Sequence, residues 1–452
     1  MIDLRGRTLR ASFFHAPVCG EVEFLDDALI GIGHDGLIRH VVRQSDPAYE
    51  GLLGVAENEE TLVTLPPDSV VLPGFVDLHV HAPQYAQLGQ ALDVPLEVWL
   101  DKYTFPLEAR YADLAFARPR YTALVADLLA NGTTTALYFA TVDEAPTRLL
   151  ADICLDQGQR ALIGKVAMDD PDACPEYYRD ASAAAAIDAT RSLIDYIRGH
   201  KDNAAGLVLP VVTPRFIPSC TDEVLIGLGQ LAAECDCHIQ THCSESDWAH
   251  HHGLVRFEET DTASLDGFGL LTRKTVLAHA NFITAADMTL IAARGGAVAH
   301  CPLSNAYFAG AVFPLRRAIE KGIHVGLGTD ISGGPSASMF DAARLAVVAS
   351  RLLESGVDAD LPATARGWPG SRIDLATAFH LATAGGGAAL DLPIGRFEVG
   401  CHFDAMVIDT VAETGGIRLF EPLAPLDLLE KIINTASRAN IAAGWVDGTQ
   451  VA

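Results

Sequence analysis

The sequence predicts an α/β fold, a distorted (β/α)8 TIM barrel with a small β-sandwich domain built from both termini. Eight apolar, strand-like segments alternate with helical segments through the middle of the chain, which is the pattern of a parallel β/α barrel. The two ends instead carry short β-like segments among turns, and neither has enough strands for a stable sheet of its own. We therefore expect residues 1–69 and 386–452 to form the small domain together, and residues 70–385 to form the barrel.

The barrel strands are predicted from apolar runs that are bounded by polar residues and glycines. These runs are residues 70–81, 133–139, 161–166, 206–212, 237–242, 275–279, 297–301 and 324–330. Helices with apolar periodicity are predicted between them at 117–131, 183–199, 222–234 and 285–294. A strand count does not prove closure, so an open, doubly wound sheet remains an alternative at this point.

Composition limits the classes of function. With 452 residues, of which 49% are hydrophobic and 20% charged, the chain can bury a large core. Its net charge of −26 argues against a nucleic-acid or anionic-membrane partner and fits a small uncharged substrate, although acidity also favours solubility. The nine cysteines are scattered and odd in number, which is typical of reduced thiols. No window approaches the ~20 apolar residues of a membrane span, so we expect a cytoplasmic protein.

The most informative stretch ends in His79 and His81. Residues i and i+2 of a strand share a face, so both imidazoles point the same way where the first barrel strand ends. Neutral imidazole is a common metal ligand, and a catalytic site normally needs at least one more protein ligand. The other strands are expected to supply it.

The chemistry of β/α barrels lies at the carboxyl ends of the strands. Reading the later strands there adds these polar candidates: Arg215, His242, His279, Cys301 and Asp330. A single histidine at a strand end is more often a hydrogen-bonded core residue, but several around one barrel mouth are best explained as ligands. Four histidines and one aspartate suit one divalent transition metal ion, zinc or iron. The fourth strand ends without the lysine that a bridged pair of metals usually needs, and Lys165 is interpreted as structural.

A carboxylate is placed to move protons beside this set. Glu245 follows His242 by three residues, which lets both side chains face one cavity. A metal ion lowers the pKa of its bound water towards ~7, and a carboxylate must then accept and return the proton. Glu245 and Asp330 are the two carboxylates available for this work.

Several motifs resemble the amidohydrolase superfamily, over nearly the whole chain. They are the segments 73–84, 103–106, 212–216, 241–245 and 326–334. The D-x-H-x-H, H-x-x-E and G-T-D elements are shared by many deaminases of the superfamily and therefore imply a class of reaction. The His-Ala-Pro-Gln and Thr-Pro-Arg-Phe pieces are narrower and resemble the branch that deaminates guanine.

The resemblance implies hydrolysis of guanine to xanthine and ammonia in purine catabolism or salvage, by a protein that is usually a homodimer. It implies one Zn²⁺ per chain, with Fe²⁺ as the alternative, and the ligands His79, His81, His242, His279 and Asp330. It implies catalytic roles for Glu245, Asp330 and His279, with Asp330 as the base and Glu245 protonating ring nitrogen N3. It implies purine contacts by Gln84, Arg215, Phe216 and His242.

Two other hypotheses stay open from sequence. Leu303 stands where many members of the superfamily have a polar residue, which bears on one pocket wall and so on the base that is bound. Under the first hypothesis, the substrate is a related ring such as 8-oxoguanine or a pterin, or a triazine that loses another leaving group. A barrel that has lost catalysis and only binds is a further alternative, but such proteins typically lack ligands that are complete here.

Overall fold

The computed structural model describes residues 2–452, which form two β-sheets with flanking helices. The strands in this part of the chain are β1 Thr8–His15, β2 Glu23–Ile32, β3 Ile38–Val42, β4 Leu62–Thr64, β5 Ser69–Pro73, β6 Phe75–His81, β7 Thr133–Phe139, β8 Arg160–Gly164, β9 Val166–Ala167, β10 Val208–Pro214, β11 His238–Cys243, β12 Thr275–His279, β13 Ala297–His300, β14 His324–Leu327, β15 Ala405–Asp409, β16 Ile441–Val446 and β17 Thr449–Gln450.

The α-helices of the same residues lie between and after these strands. They are α1 Tyr49–Asn58, α2 Leu96–Trp99, α3 Phe105–Ala109, α4 Leu114–Ala130, α5 Glu144–Gln157, α6 Ala183–Gly199, α7 Asp222–Cys235, α8 Asp247–Phe257, α9 Asp261–Gly267, α10 Ala285–Arg294, α11 Pro302–Phe308, α12 Leu315–Glu320, α13 Met339–Ser355, α14 Ala363–Arg366, α15 Leu375–Ala382, α16 Ala384–Ala389 and α17 Pro425–Thr435. A π-helical turn, Leu100–Thr104, joins α2 to α3. Short 3₁₀ helices occupy Ala82–Gln87, Arg110–Ala112, Ile217–Ser219 and Arg438–Asn440.

The barrel is a closed parallel sheet. Its strands follow the order β6-β7-β8-β10-β11-β12-β13-β14, with β9 paired to β10. The two edges meet through main-chain bonds, because the Asp330 amide donates to the His79 carbonyl at 2.8 Å and the His81 amide donates to the Ile331 carbonyl at 2.9 Å. The predicted barrel is therefore confirmed, and the open, doubly wound alternative is excluded.

The local sequence explains these elements. Strands such as β7 and β8 are buried along their whole length, which is why they read as continuous apolar runs rather than alternating ones. The helices outside them begin at polar caps: the side chains of Ser182 and Thr221 accept hydrogen bonds from backbone amides in the first turns of α6 and α7. The predicted helices are present as α4, α6, α7 and α10.

Both termini build the second sheet, as predicted. Its order is β17-β16-β15-β5-β1-β2-β3, with β4 beside β1, so all of its strands belong to one hydrogen-bonded sheet. Strand β15 from the C-terminal part pairs with β5 from the N-terminal part. Gly74 then leads from β5 into β6, where a Cβ atom would lie 2.1 Å from the Thr134 hydroxyl. The expected boundaries at 69/70 and 385/386 stay predictions.

No helix within residues 2–452 is long and apolar enough to cross a membrane.

A buried ion cluster joins the barrel to the terminal sheet. Arg160 of β8 donates to Asp404 at 2.9 and 3.3 Å and to Asp447 at 2.7 Å. Its side chain is only 5% exposed. A guanidinium at this depth would be costly if it were unpaired, so the two carboxylates hold both sheets against each other.

We expect Arg160→Met to lower the free energy of unfolding by about 3–5 kcal/mol, because it leaves two partly or wholly buried carboxylates without their cation. Urea unfolding followed by far-UV circular dichroism measures this. Arg191→Gln is the matched control, since Arg191 pairs with Glu234 at the exposed surface and should change stability little. Equal stability of the two variants would show that the Arg160 cluster does not hold the sheets together.

Candidate active site

The structure brings the five predicted metal ligands together at the barrel mouth. His81 Nε2 lies 3.0 Å from His242 Nε2. Asp330 Oδ1 lies 3.2 Å from His79 Nε2, and Asp330 Oδ2 lies 3.9 Å from His279 Nε2. All five side chains are buried. The cluster is possible because β6, β11 and β12 all end at the same mouth of the closed barrel, and the chain continues from β14 across this opening.

Hydrogen bonds on the far side of two imidazoles set their orientation. His242 Nδ1 donates to the Arg215 carbonyl at 2.6 Å, and His279 Nδ1 donates to Asn305 Oδ1 at 2.9 Å. Asn305 in turn exchanges two side-chain hydrogen bonds with Asn281. With Nδ1 carrying the proton, the Nε2 lone pair of each ring faces the cluster, as a metal ligand requires.

The donor set fits a metal ion. Within residues 2–452, His79 Nδ1 and Nε2, His81 Nδ1 and His279 Nε2 are buried without a hydrogen-bond partner, which is unusual for buried polar atoms. Burial lowers the pKa of His79, His81 and His242 well below the usual value, so these imidazoles are neutral and able to ligate. Ligand atoms of His79, His81 and Asp330 lie within 4.8 Å of one another. This chemistry suits a transition-metal ion.

Asp77 ties the first barrel strand to the segment after β14. Its carboxylate accepts from the Thr329 hydroxyl at 2.5 Å, from the Thr329 amide at 3.0 Å and from the His79 amide at 3.2 Å. Burial raises its pKa to about 7. The carboxylate therefore fixes the backbone positions from which His79 and Asp330 project.

Two carboxyl groups face each other beside the cluster. Glu245 Oε1 lies 3.6 Å from His279 Nε2. Burial, followed by the negative charge of Asp330, raises the pKa of Glu245 to about 8, and burial also raises the pKa of Asp330. The turn that carries Glu245 after β11 is held by Asn281, whose side-chain amide donates to the Glu245 carbonyl at 2.8 Å. A carboxyl with a pKa near neutrality can both hold and release a proton.

A cavity opens directly onto this cluster, and the predicted substrate residues Gln84, Arg215 and Phe216 line it. The cavity is also lined by the apolar side chains of Leu96, Trp99, Leu100 and Phe308. Trp99 and Leu100 lie where α2 passes into the π-helical turn, and such turns are frequent at functional sites. The cavity thus combines a metal-binding floor with walls suited to a flat, polar-edged ring.

Sequence reasoning missed Glu108 of α3, which is fully buried and contacts the substrate residues Gln84 and Arg215. Arg215 donates to its two carboxylate oxygens at 2.7 and 3.2 Å, and Gln84 Nε2 donates to it at 2.8 Å. A single glutamate in a helical segment normally indicates a solvated face, so no motif singled it out. Its position two residues after Pro106 of the Tyr-Thr-Phe-Pro motif was the available signal.

Other candidates from the sequence lie outside the cluster. Lys165 donates to Asp180 at 2.6 Å, in agreement with its structural interpretation. Cys301 is buried in the barrel beside Gly328.

A closed barrel with this ligand set at the carboxyl ends of its strands defines the class of metal-dependent barrel hydrolases. The model of the Amidohydrolase family matches residues 70–451. The chain is 38% identical to a probable guanine deaminase of Schizosaccharomyces pombe, over 97% of this chain and 82% of that protein. It is 36% identical to the guanine deaminase of Homo sapiens, over 98% of this chain and 96% of that protein.

The solved structures agree with these relatives. A guanine deaminase from C. acetobutylicum with guanine bound in its active site superimposes with a TM-score of 0.85 at 29% identity, covering 98% of this chain and 99% of that chain. The chain belongs to the amidohydrolase family and, within it, to the guanine deaminase family. The resemblance drawn from the motifs is confirmed.

We expect Asn305→Ala to weaken metal binding by roughly 10–100-fold, because His279 loses the partner that fixes its proton on Nδ1. Competition with a chelator of known affinity, read by metal analysis of the dialysed protein, measures the change. Asn434→Ala is the control, since the Asn434 side chain donates to the Glu430 carbonyl on the exposed surface of α17 and contacts no metal ligand. Unchanged metal affinity in the Asn305 variant would contradict the assigned orientation of His279.

Proposed function

We propose that this protein hydrolyses guanine to xanthine and ammonia, using one zinc ion per chain held by His79, His81, His242, His279 and Asp330. The observation that carries the proposal is the complete ligand set with Glu245 beside it, facing a cavity lined by Gln84, Arg215 and Phe216. The relatives named guanine deaminase and the neighbouring structure with bound guanine support this substrate.

When bound, the metal ion lowers the pKa of a coordinated water towards ~7 and so supplies a nucleophile at neutral pH. Asp330 accepts the proton of the attacking water. Glu245 delivers a proton to ring nitrogen N3, so that the electron pair displaced from C2 settles on a neutral ring. The C2–O bond forms and C2 becomes tetrahedral. Asp330 then passes its proton to the exocyclic amino group, which leaves as ammonia as its bond to C2 breaks, and the hydroxyl on C2 gives its proton to Glu245 as the C2 carbonyl forms.

The side chains around the cavity orient the base. Arg215 donates to the O6 carbonyl, because a guanidinium presents directed N–H groups. Gln84 contacts the polar edge of the purine, and the Phe216 ring stacks on its face. His242, with its ring centroid 6.1 Å from that of Phe216, borders the base as well as the metal. His279 takes part in catalysis through its contact with Glu245.

We assign the protein to purine catabolism or salvage in the cytoplasm, as a homodimer. The cysteines support the location, because within residues 2–452 all nine are free thiols, as in a reducing compartment. Zinc is preferred over iron because the ligands are nitrogen and oxygen donors without a redox step in the reaction.

We expect purified, metal-assayed protein to release ammonia from guanine and not from adenine, cytosine, 8-oxoguanine or isoxanthopterin. Adenine has an amino group where guanine offers the O6 carbonyl to Arg215, whereas 8-oxoguanine and isoxanthopterin share that carbonyl edge. For those two rings the expectation follows from the relatives named guanine deaminase. Ammonia release, quantified by a coupled assay with about one zinc per chain, tests this. Release from another of these rings alone would keep the metal centre and overturn the substrate. Binding of guanine without any ammonia would indicate a binding protein.

We expect Glu245→Gln to lower kcat by roughly 10²–10⁴-fold, because an amide cannot carry the proton. The variant should keep its metal, since its side chain is not in the ligand set. Steady-state rates together with metal content measure both effects. Glu259→Gln is the control, because Glu259 is an exposed glutamate in the short loop between α8 and α9. Full turnover by the Glu245 variant would remove this residue from the mechanism.

A further inference from the structure

The side chains that read the purine are themselves held by one acid that does not face the metal cluster. Glu108 lies in α3 with no exposed surface. It accepts hydrogen bonds from both terminal nitrogens of Arg215 and one from Gln84. A fork of this kind fixes the plane of the guanidinium. Arg215 has five N–H donors in all, so at most three stay available for a ligand after the two bonds to Glu108, and its Nη1 also lies 4.0 Å from Met168 Sδ.

Glu108 also decides which way the Gln84 amide points. The Gln84 Nε2 group faces an acceptor, the Glu108 carboxylate, at 2.8 Å. The Gln84 Oε1 atom faces a donor, the backbone amide of Ser332, at 3.2 Å. A flipped amide would place a carbonyl against a carboxylate and an NH₂ against an N–H group. The orientation of this side chain is therefore set by its surroundings before a base arrives.

The contact between Glu108 and Arg215 also changes the net charge beside the cavity. Arg215 is fully buried, with 2% of its surface exposed, and its guanidinium pairs with Glu108 Oε2 at 2.7 Å. A buried arginine without this partner would favour an anionic ligand strongly, because the local dielectric constant is low. With the partner in place, the pair is neutral and offers directed donors without a net charge.

The other titratable groups around Arg215 do not add positive charge. Burial and the charge of Glu108 raise the pKa of Tyr178, and burial raises the pKa of Cys174 to about 12, so both are neutral. The remaining titratable groups within electrostatic reach of Arg215 are His79, His81, His242, Glu245 and Asp330. Burial lowers the pKa of the three histidines, so they are neutral, and the two acids carry no positive charge.

We propose that Glu108 is a positioning residue that fixes Arg215 and Gln84 and, by cancelling the guanidinium charge, makes the pocket select a neutral base over an anionic one. The inference rests on the proposed function, because it concerns the difference between guanine and its product. Xanthine has ring N–H groups between carbonyls and loses a proton more readily than guanine does. Because Glu108 balances the charge of Arg215, the guanidinium does not help to retain the ionised product.

The test compares the dissociation constants of xanthine and hypoxanthine, measured by isothermal titration on metal-loaded protein across the pH range in which xanthine ionises. Hypoxanthine stays neutral there, so the ratio of the two constants cancels the titration of the protein itself. For the unaltered protein we expect the dissociation constant of xanthine, divided by that of hypoxanthine, not to fall as xanthine ionises. Tighter binding of the xanthine anion than of neutral xanthine would overturn the proposal without any variant.

Two substitutions separate charge from geometry. Glu108→Gln keeps the size of the side chain but leaves Arg215 uncompensated, so ionisation of xanthine should tighten its binding by roughly tenfold relative to hypoxanthine, which is about 1.4 kcal/mol. Glu108→Asp keeps the charge but loses reach, so the ratio should match that of the unaltered protein while KM for guanine rises more than kcat falls. A folded Glu108→Gln protein with an unaltered ratio would refute the charge role.

Asp404→Asn is the matched control, because it disturbs another buried acid–arginine pair away from the cavity and should leave the ratio unaltered. The same change of ratio in this control would assign the effect to general destabilisation and overturn the proposal. If Glu108→Gln does not fold, the measurement on the unaltered protein and the Glu108→Asp variant decide. The two proposals fail in different experiments. Absence of ammonia release from guanine would refute the proposed function, whereas the role of Glu108 is tested by binding ratios that are measured without turnover.

Discussion

The site depends on the closure of the barrel between its first and last strands. His79 and His81 end β6, whereas Asp330 follows β14, so these ligands meet only if the two edges of the sheet join. The buried carboxylate of Asp77 makes this junction specific, because it accepts three hydrogen bonds from Thr329 and His79. A buried carboxylate is costly unless such donors are present. The closed seam is therefore both a structural requirement and the frame of the metal cluster.

Backbone strain at the strand ends directs the ligands into the mouth. Ser244, His279 and Asp330 have φ angles of 45°, 70° and 50°, a region that costs a residue with a side chain on the order of 1–3 kcal/mol. Hydrogen bonds across the same turns hold these angles, since the Ala280 amide donates to the Cys243 carbonyl at 2.9 Å and the Asn281 amide to the Ser244 carbonyl at 3.0 Å. Other residues of the chain also have positive φ angles, but at these turns the strained conformation aims two metal ligands and the residue before Glu245 into the barrel mouth.

Sequence predicts the parts of this molecule that follow from local pattern. The alternation of strands and helices predicted the barrel, and the position of His79, His81, His242, His279 and Asp330 at strand ends predicted that they would converge. The closure and the single sheet of the termini depend on pairings between distant residues, which no local pattern encodes. Glu108 was missed for the same reason, because its partners Gln84 and Arg215 meet it only after folding, and a helical glutamate by itself indicates solvent exposure.

The balance of charge around the cavity argues for a cation at its floor. Asp77, Glu245 and Asp330 are buried close together, and burial raises the pKa of each of these carboxyl groups. Arg215, the nearby guanidinium, is already paired with Glu108, so it cannot balance them fully. A divalent ion among the neutral imidazoles would satisfy the orphaned nitrogen atoms and offset the carboxylates in one step. The buried acidic side chains at the barrel mouth therefore favour the binding of a divalent metal ion.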